Sequence, residues 1–298
     1  MNITTTISQY LEEQRALIDQ ELDQILPSED TFPYSIHKAM RYSVFAGGKR
    51  LRPILCAEAG RLFGAGDRPL LRIASALELV HTYSLIHDDL PALDNDDLRR
   101  GKPTCHRAFG EATAILTGDA LLTLAYEVLS EPGNCSPERQ LRIIYELAQA
   151  TGTRNGMVAG QVMDLESSNQ AMDAEHLELI HSSKTGAFLC ASVRCGAIFA
   201  GAREPDIDRL TIYGRRIGLA FQIVDDLLDV LGSSATLGKT PGKDDHQSKA
   251  TYPALYGIEE SRRKAELLIE EALESLRPYG EAAERLRQLA HFLIERTA

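Results

Sequence analysis

Apolar residues recur at helical spacing along almost the whole chain. No stretch sets alternating apolar and polar residues on both sides of a tight turn. Tyr10–Leu26 is typical, with Leu11, Leu17, Ile18, Leu22, Ile25 and Leu26 near the three- and four-residue spacing of one helix face. The same pattern predicts helices over Tyr34–Phe45, Arg50–Leu62, Pro69–Asp89, Ala112–Leu129, Pro137–Leu165, Ala174–Ala200, Ile207–Leu231, Glu260–Leu276 and Glu281–Glu295. Pro27, Pro33, Gly64–Gly66, Pro132–Gly133, Pro205 and Pro278 punctuate them, as expected of helix boundaries. Asn155–Gly156 falls inside a helical pattern, and nothing argues for sheet. The expectation is an all-α, single-domain bundle of about ten or more helices spanning 1–298. Its least regular segment, Gly232–Thr251, is polar and rich in Gly and Lys, as functional loops often are.

Charge narrows the function. Against 32 Lys and Arg stand 43 Asp and Glu, a net charge of −11, so no nucleic-acid partner is expected, because such binding runs on phosphate neutralisation. A local phosphate site is not excluded. The five cysteines are odd in number and include no Cys-x-x-Cys pair, which disfavours a disulfide framework or structural zinc and suits a reducing, cytoplasmic location. The polar, acidic start (MNITTTISQYLEEQ) lacks the layout of a signal peptide. Gly186–Ala202, the most apolar stretch, contains Ser192 and Arg194 and is short for a span, so it is read as a buried core helix, with no stable membrane insertion.

Two acidic clusters interrupt the apolar helices. The first runs His87-Asp88-Asp89-Leu90-Pro91-Ala92-Leu93-Asp94-Asn95-Asp96-Asp97. A straight helix would put Asp88 and Asp94 on different faces, but Pro91 cannot continue one, and a bend there would let both carboxylates converge. Ser84 and His81 precede Asp88 by one and two turns on its face. The second cluster is Asp225-Asp226-Leu227-Leu228-Asp229. On a helical wheel Asp226, Asp229 and Gln222 lie within about 100° of Asp225, and the neighbouring Ile, Val and Leu residues fill the opposite arc. Like charges one turn apart repel, so a cation belongs there. Carboxylates without His or Cys favour magnesium over zinc, and magnesium held by few carboxylates usually also binds substrate phosphate.

Basic segments alternate with the acids: Gly47-Gly48-Lys49-Arg50-Leu51-Arg52-Pro53, Arg99-Arg100-Gly101-Lys102, Ser183-Lys184-Thr185-Gly186, and Lys239, Lys243 and Lys249. Each alone is an ordinary solvated group; together they suit a metal-bridged diphosphate. Gly232 to Thr240 misses the P-loop spacing by one residue, and a calcium loop from Asp94 would need Gly where Arg99 stands.

With GGKRLRP, the DDxxxxD cluster, RRGKPT, GQVMDL, KT, FQ and DDLLD in this order, the sequence resembles the trans-isoprenyl diphosphate synthase family over essentially its whole length. The branch it is most similar to is that of bacterial farnesyl diphosphate synthases. The resemblance implies the isoprenoid synthase fold, a helical bundle around a central cavity, and a homodimer. It implies Mg²⁺, three ions with the substrate diphosphate, held by Asp88, Asp94 and Asp225 with Asp89 and Asp229 in support, and Gln161 on a metal-bound water. It assigns Arg99, Lys184, Lys239 and Lys249 to the allylic diphosphate, and Lys49, Arg52, His81 and Arg100 to isopentenyl diphosphate. Thr185 and Gln222 would lie near the reacting carbons, so that Lys184, Thr185 and Gln222 form the catalytic set. The implied reaction ionises an allylic diphosphate, adds isopentenyl diphosphate head to tail and loses a proton, in a cavity that keeps water from the cation. In the family, bulky residues just before the first cluster limit chain length, and Tyr83 with Ser84 occupies that place. An aromatic there resembles farnesyl producers; geranylgeranyl diphosphate synthase is the alternative, with a class I terpene cyclase or a non-catalytic synthase subunit further off.

Overall fold

Thr6 fixes where the chain first becomes helical. Its hydroxyl accepts from the Gln9 backbone N–H while the Gln9 side chain accepts from the Thr6 N–H, a reciprocal cap on α1 (Ile7–Ile25). The computed structural model describes residues 6–167, 173–231 and 251–294. By contact density the chain divides into two compact units, Met1–Ile54 with Asp67–Gln140, and Leu55–Gly66 with Leu141–Ala298.

The first unit contains α1, α2 (Tyr34–Val44), the first turn of α3 (Leu51–Leu62), α4 (Asp67–Asp88), α5 (Cys105–Phe109) and α6 (Glu111–Ser130). Helix α4 is apolar nearly all round: Leu70, Ile73, Ala74, Ala76, Leu77, Leu79 and Val80 have no exposed surface, as befits a helix packed by both α1 and α6. Deleting any of these leucines to Ala would cost about 2–5 kcal/mol. Among the described residues α6 alone is long and apolar enough to cross a membrane. It nonetheless packs on α4 through Ala114, Leu121, Ala125, Val128 and Leu129, and turns Asp119 and Glu127 to solvent.

The second unit contains the rest of α3, all but the first turn of α7 (Pro137–Thr151), α8 (Met157–Glu166), α9 (Ala174–His181), a π turn over Ser182–Gly186, α10 (Ala187–Ala200), α11 (Glu204–Leu231), α12 (Tyr252–Tyr256), α13 (Ile258–Ser275), a 3₁₀ turn at Arg277–Ala283 and α14 (Glu284–Ile294). The 28-residue α11 is the spine, packed on α10 and α13. Tyr213 on α11 is wholly buried and donates its hydroxyl to the Leu286 carbonyl at 2.7 Å. Helix α10 is buried along most of its length, as its composition predicts.

Four expectations are corrected. Pro137–Leu165 is two helices, not one: the chain breaks between Thr151 and Met157, where Asn155 takes a left-handed φ of 59° that no continuing helix accepts. Ala174–Ala200 is interrupted by the π turn. Strand is not absent, because Leu98–Arg99 pairs antiparallel with Lys102–Pro103 across a turn in which Arg100 and Gly101 have φ of 54° and 75°. The last helix begins at Glu284, after the 3₁₀ turn that follows Pro278, rather than at Glu281. All five cysteines are free thiols.

Candidate diphosphate and metal sites

In the first unit the bend expected at Pro91 is present. Helix α4 stops at Asp88, and the chain folds back until the Asp94 N–H donates to the Asp88 carbonyl at 2.9 Å and the Asp96 N–H to the Asp89 carbonyl at 3.2 Å. Asn95, at φ 52°, turns the chain out again. The backbone thus brings Asp94 beside Asp88. Asp89 behaves differently from its neighbours: it is 3% exposed, and its oxygens accept from Arg99 Nε at 2.7 and 2.9 Å and from Arg99 Nη2 at 2.5 Å. Burial alone would lower the Arg99 pKa, but Asp89, with help from Asp88 and Asp96, holds it above the ordinary guanidinium value. The sequence assigned Asp89 to metal and Arg99 to diphosphate; the structure pairs the two with each other.

A basic pocket surrounds His81. Arg50, at φ 50°, is buried and spends its donors on Asp19 (2.8 Å), Glu78 (2.9 Å) and the Val44 carbonyl (2.7 Å), locking the turn before α3. Arg100 donates to the Gly47 carbonyl, and its guanidinium lies over Gly48, where a side chain would collide with it and where φ is 123°. Burial, then Arg100, outweighs Glu78 and brings Arg52 down to about 10. Burial and the surrounding guanidiniums of Arg52, Arg100, Arg99 and Arg50 push His81 well below its usual value, leaving it neutral. Lys49 is exposed at the mouth of the turn. Burial first, and like charge after it, lowers Arg52 and His81, a combination that a bound anion would relieve. Ser84 donates to the His81 carbonyl at 2.8 Å, and the Tyr83 ring stands edge-on to His87 at 5.6 Å.

In the second unit Lys184 and Thr185 sit in the π turn, a local extra residue of the kind common at functional sites. Lys184 Nζ donates to Asp164 at 2.8 Å, and Thr185 Oγ1 to Gln222 Oε1 at 2.9 Å. Gly160 and Gln161 lie on α8, and a side chain at Gly160 would strike the Lys184 backbone, so α8 can support the π turn only with glycine there. On α11, Asp225 is half-buried and Asp229 exposed, whereas Asp226 faces elsewhere and accepts from the Tyr252 N–H at 2.9 Å. Lys239 and Lys249 lie outside the described residues. Sequence reasoning missed Asp164, the Tyr252 partner of Asp226, and the Arg50–Glu78–Asp19 lock. Asp164 was findable, standing three residues after Gln161 and so near it on the same helix.

The donor chemistry fits magnesium. Asp88, Asp94, Asp225 and Asp229 offer carboxylate oxygen only, and among the described residues no group of three or more His, Cys, Asp or Glu side chains forms a cage by itself. Magnesium needs few protein ligands, since water and phosphate complete its octahedron. A helical chain that combines such carboxylates with a half-buried cationic pocket suits diphosphate esters.

The polyprenyl synthetase family model matches residues 33–289. The chain is 49% identical over 296 residues to a dimethylallyltranstransferase of Fischerella ambigua, covering 99% of this chain and 85% of that one. It is 45% identical to a geranylgeranyl diphosphate synthase of Cyanophora paradoxa, covering 96% and 95% of the two chains. The crystal structure of an FPP/GFPP synthase from Zymomonas mobilis superposes with a TM-score of 0.87 at 40% identity, over 97% of this chain and 98% of that one. The chain belongs to the polyprenyl synthetase family: it is a trans-isoprenyl diphosphate synthase, a prenyltransferase of the all-α isoprenoid synthase fold.

Proposed function

We propose that the protein condenses isopentenyl diphosphate with dimethylallyl and geranyl diphosphates and stops at farnesyl diphosphate, working as a homodimer. The observation that carries the substrate assignment is the crowding of Arg50, Arg52, Arg99 and Arg100 about a neutral His81, which favours a highly charged anion. Arg50 is held by Asp19 and Glu78 and Arg99 by Asp89; by the family resemblance Lys49, Arg52, His81 and Arg100 would take the isopentenyl diphosphate. Asp88 and Asp94 in one unit, and Asp225 and Asp229 in the other, would hold Mg²⁺, which supplies positive charge to the departing diphosphate when bound.

The chain's own groups do the rest. Lys184, oriented by Asp164, would place its ammonium at the allylic diphosphate, with Lys239 and Lys249 as further cationic partners. Thr185 donates its proton to Gln222, which leaves the hydroxyl lone pairs able to face developing positive charge on carbon. No basic side chain is needed to remove the last proton, because the departing diphosphate is itself a base. Tyr83, with burial raising its hydroxyl pKa and Tyr126 nearby, sets a rigid aromatic ring five residues before Asp88 and supports the fifteen-carbon limit.

A twenty-carbon product is the second reading, favoured by relatives such as the Cyanophora protein whose name is that of a geranylgeranyl synthase. The deciding experiment incubates the enzyme with Mg²⁺, isopentenyl diphosphate and dimethylallyl diphosphate, with an EDTA control, and weighs the product by mass spectrometry. A fifteen-carbon diphosphate supports the proposal, and a twenty-carbon one keeps the site and overturns the chain length. No condensation by a folded protein refutes both.

A further inference from the structure

Helix α11 runs antiparallel to the continuous stretch α9–π turn–α10, and the contacts between them change character along the pair. At one end the backbones nearly touch: a side chain at Gly214 would meet Cys190 Cα at 2.7 Å, and one at Gly218 would meet Gly186 Cα at the same distance. Toward the acidic end the contacts become polar rungs. Gln222 accepts from Thr185 at 2.9 Å, and one turn further along both elements Asp226 Oδ2 lies 3.3 Å from His181 Nε2. The spacing is four residues on each side, from Gln222 to Asp226 and from Thr185 back to His181. One rung stands just before the π turn and the other within it, so the two flank Lys184.

Asp226 is also committed in a second direction. The same Oδ2 accepts from the Tyr252 N–H at 2.9 Å, at the start of α12, where Thr251 caps the helix through its hydroxyl. The Tyr252 ring stacks on the His181 imidazole with centroids 5.9 Å apart, and its hydroxyl donates to Glu178 on α9. Lys264 on α13 reaches the same Glu178 at 3.4 Å. The Asp226 side chain is 13% exposed and His181 11%, so this pair is largely dry, while Glu178 and Lys264 lie at its solvent edge. His181 Nε2 is buried and has no aligned hydrogen bond among the described residues; the carboxylate of Asp226 is the acid that faces it.

We propose that Asp226 is a positioning residue of the prenyl-transfer site and not a metal ligand: by joining His181 and the Tyr252 backbone to α11, it sets the rotation of the helix that carries Asp225 and Asp229 against the π turn that carries Lys184 and Thr185. A turn with an extra residue has no α-helical register to hold it. Pinning it on both sides of Lys184, by Gln222 and by Asp226, supplies that register. The inference rests on the proposed prenyl-transfer reading of Asp225, Lys184 and Thr185.

The test measures kcat, the KM of each diphosphate and the Mg²⁺ concentration giving half-maximal rate for wild type, Asp226→Ala, Asp226→Asn and Asp225→Ala. Asp226→Ala should lower kcat about tenfold to a hundredfold, the scale of a small displacement of catalytic groups, with KM values and Mg²⁺ half-saturation within about twofold of wild type. Asp226→Asn keeps an oxygen for the Tyr252 N–H and should recover most of that loss. Asp225→Ala should instead raise the Mg²⁺ requirement. An Asn variant as poor as Ala, with a raised Mg²⁺ requirement, makes Asp226 a ligand and overturns the proposal, as does a wild-type kcat in Asp226→Ala. Should Asp226→Ala fail to fold, His181→Asn carries the test: kcat falls without a change in Mg²⁺ half-saturation, and adding Asp226→Asn costs less than the product of the single effects. If Asp225→Ala leaves the Mg²⁺ dependence unaltered, the metal-site reading fails by itself, while the Asp226 rescue remains readable.

Discussion

The two aspartate clusters have similar letters and opposite construction. The first is a bend: α4 ends, Pro91 diverts the chain, and backbone hydrogen bonds fold Asp94 onto Asp88. The second stays on the uninterrupted α11, and it is the opposing element, with its π turn, that departs from regular geometry. The second acid of each cluster is spent on architecture in both. Asp89 binds a buried arginine side chain, and Asp226 binds a backbone N–H beside a histidine. Acidic motifs in this molecule therefore mix acids proposed to hold a cation with acids that hold the frame, and spacing alone does not separate them.

The sharpest test of that division removes the outer acids. Asp88→Ala or Asp225→Ala should cut kcat by at least about 10²–10³-fold, the scale of losing one electrostatic stabiliser, with the melting temperature nearly unmoved. A large loss of stability instead would erase the distinction. Asp89→Ala should do the reverse in kind, leaving Arg99 buried without its main partner and costing about 3–5 kcal/mol of stability, read from denaturant unfolding. A smaller contrast concerns glycine. Gly160→Ala must push the Lys184 backbone, whereas Gly48→Ala displaces the mobile end of Arg100 and adds the strain of a positive φ, about 1–2 kcal/mol. The first should lower kcat, and the second should raise the KM for isopentenyl diphosphate.

Acidity also probes the His81 pocket of the first unit. The His81 pKa is lowered on folding, so below the unfolded value of about 6.5 the unfolded chain takes up a proton that the folded chain refuses. Stability should fall as pH drops from about 6.5 toward the lowered folded value, and His81→Gln should flatten that slope in pH-dependent melting curves. The least drastic variant is Tyr83→Ser, which should lengthen the product without altering Mg²⁺ dependence; an unchanged product from a folded variant would sink the blocking role.

What could be read from the letters was local. The Pro91 bend follows from a ring that cannot continue a helix, and the wheel put Gln222 on the polar side of its helix, where the structure has it meet Thr185. The same wheel grouped Asp226 with Asp225 and Asp229, because nothing within one helix reveals a partner 26 residues further along. Lys184 and Asp164 are twenty apart for the same reason. Helical periodicity also ran through Asn155, since apolar spacing persists across a break that only backbone conformation creates. The buried lock of Arg50, Asp19 and Glu78 was hidden in a motif where every basic residue reads as a ligand group.

A π turn is an α-helix with one residue too many, which gives Ser182–Gly186 an unusual property. Shortening the chain by one residue there would let α9 flow into α10 as ordinary α-helix, with its backbone hydrogen bonds intact, while swinging whatever remains of Lys-Thr about 100° around the axis. Function and foldedness are thus joined here by a single peptide unit. A lineage that lost that unit could keep a well-formed helical protein, recognisable by every long motif, that no longer turned over its substrates.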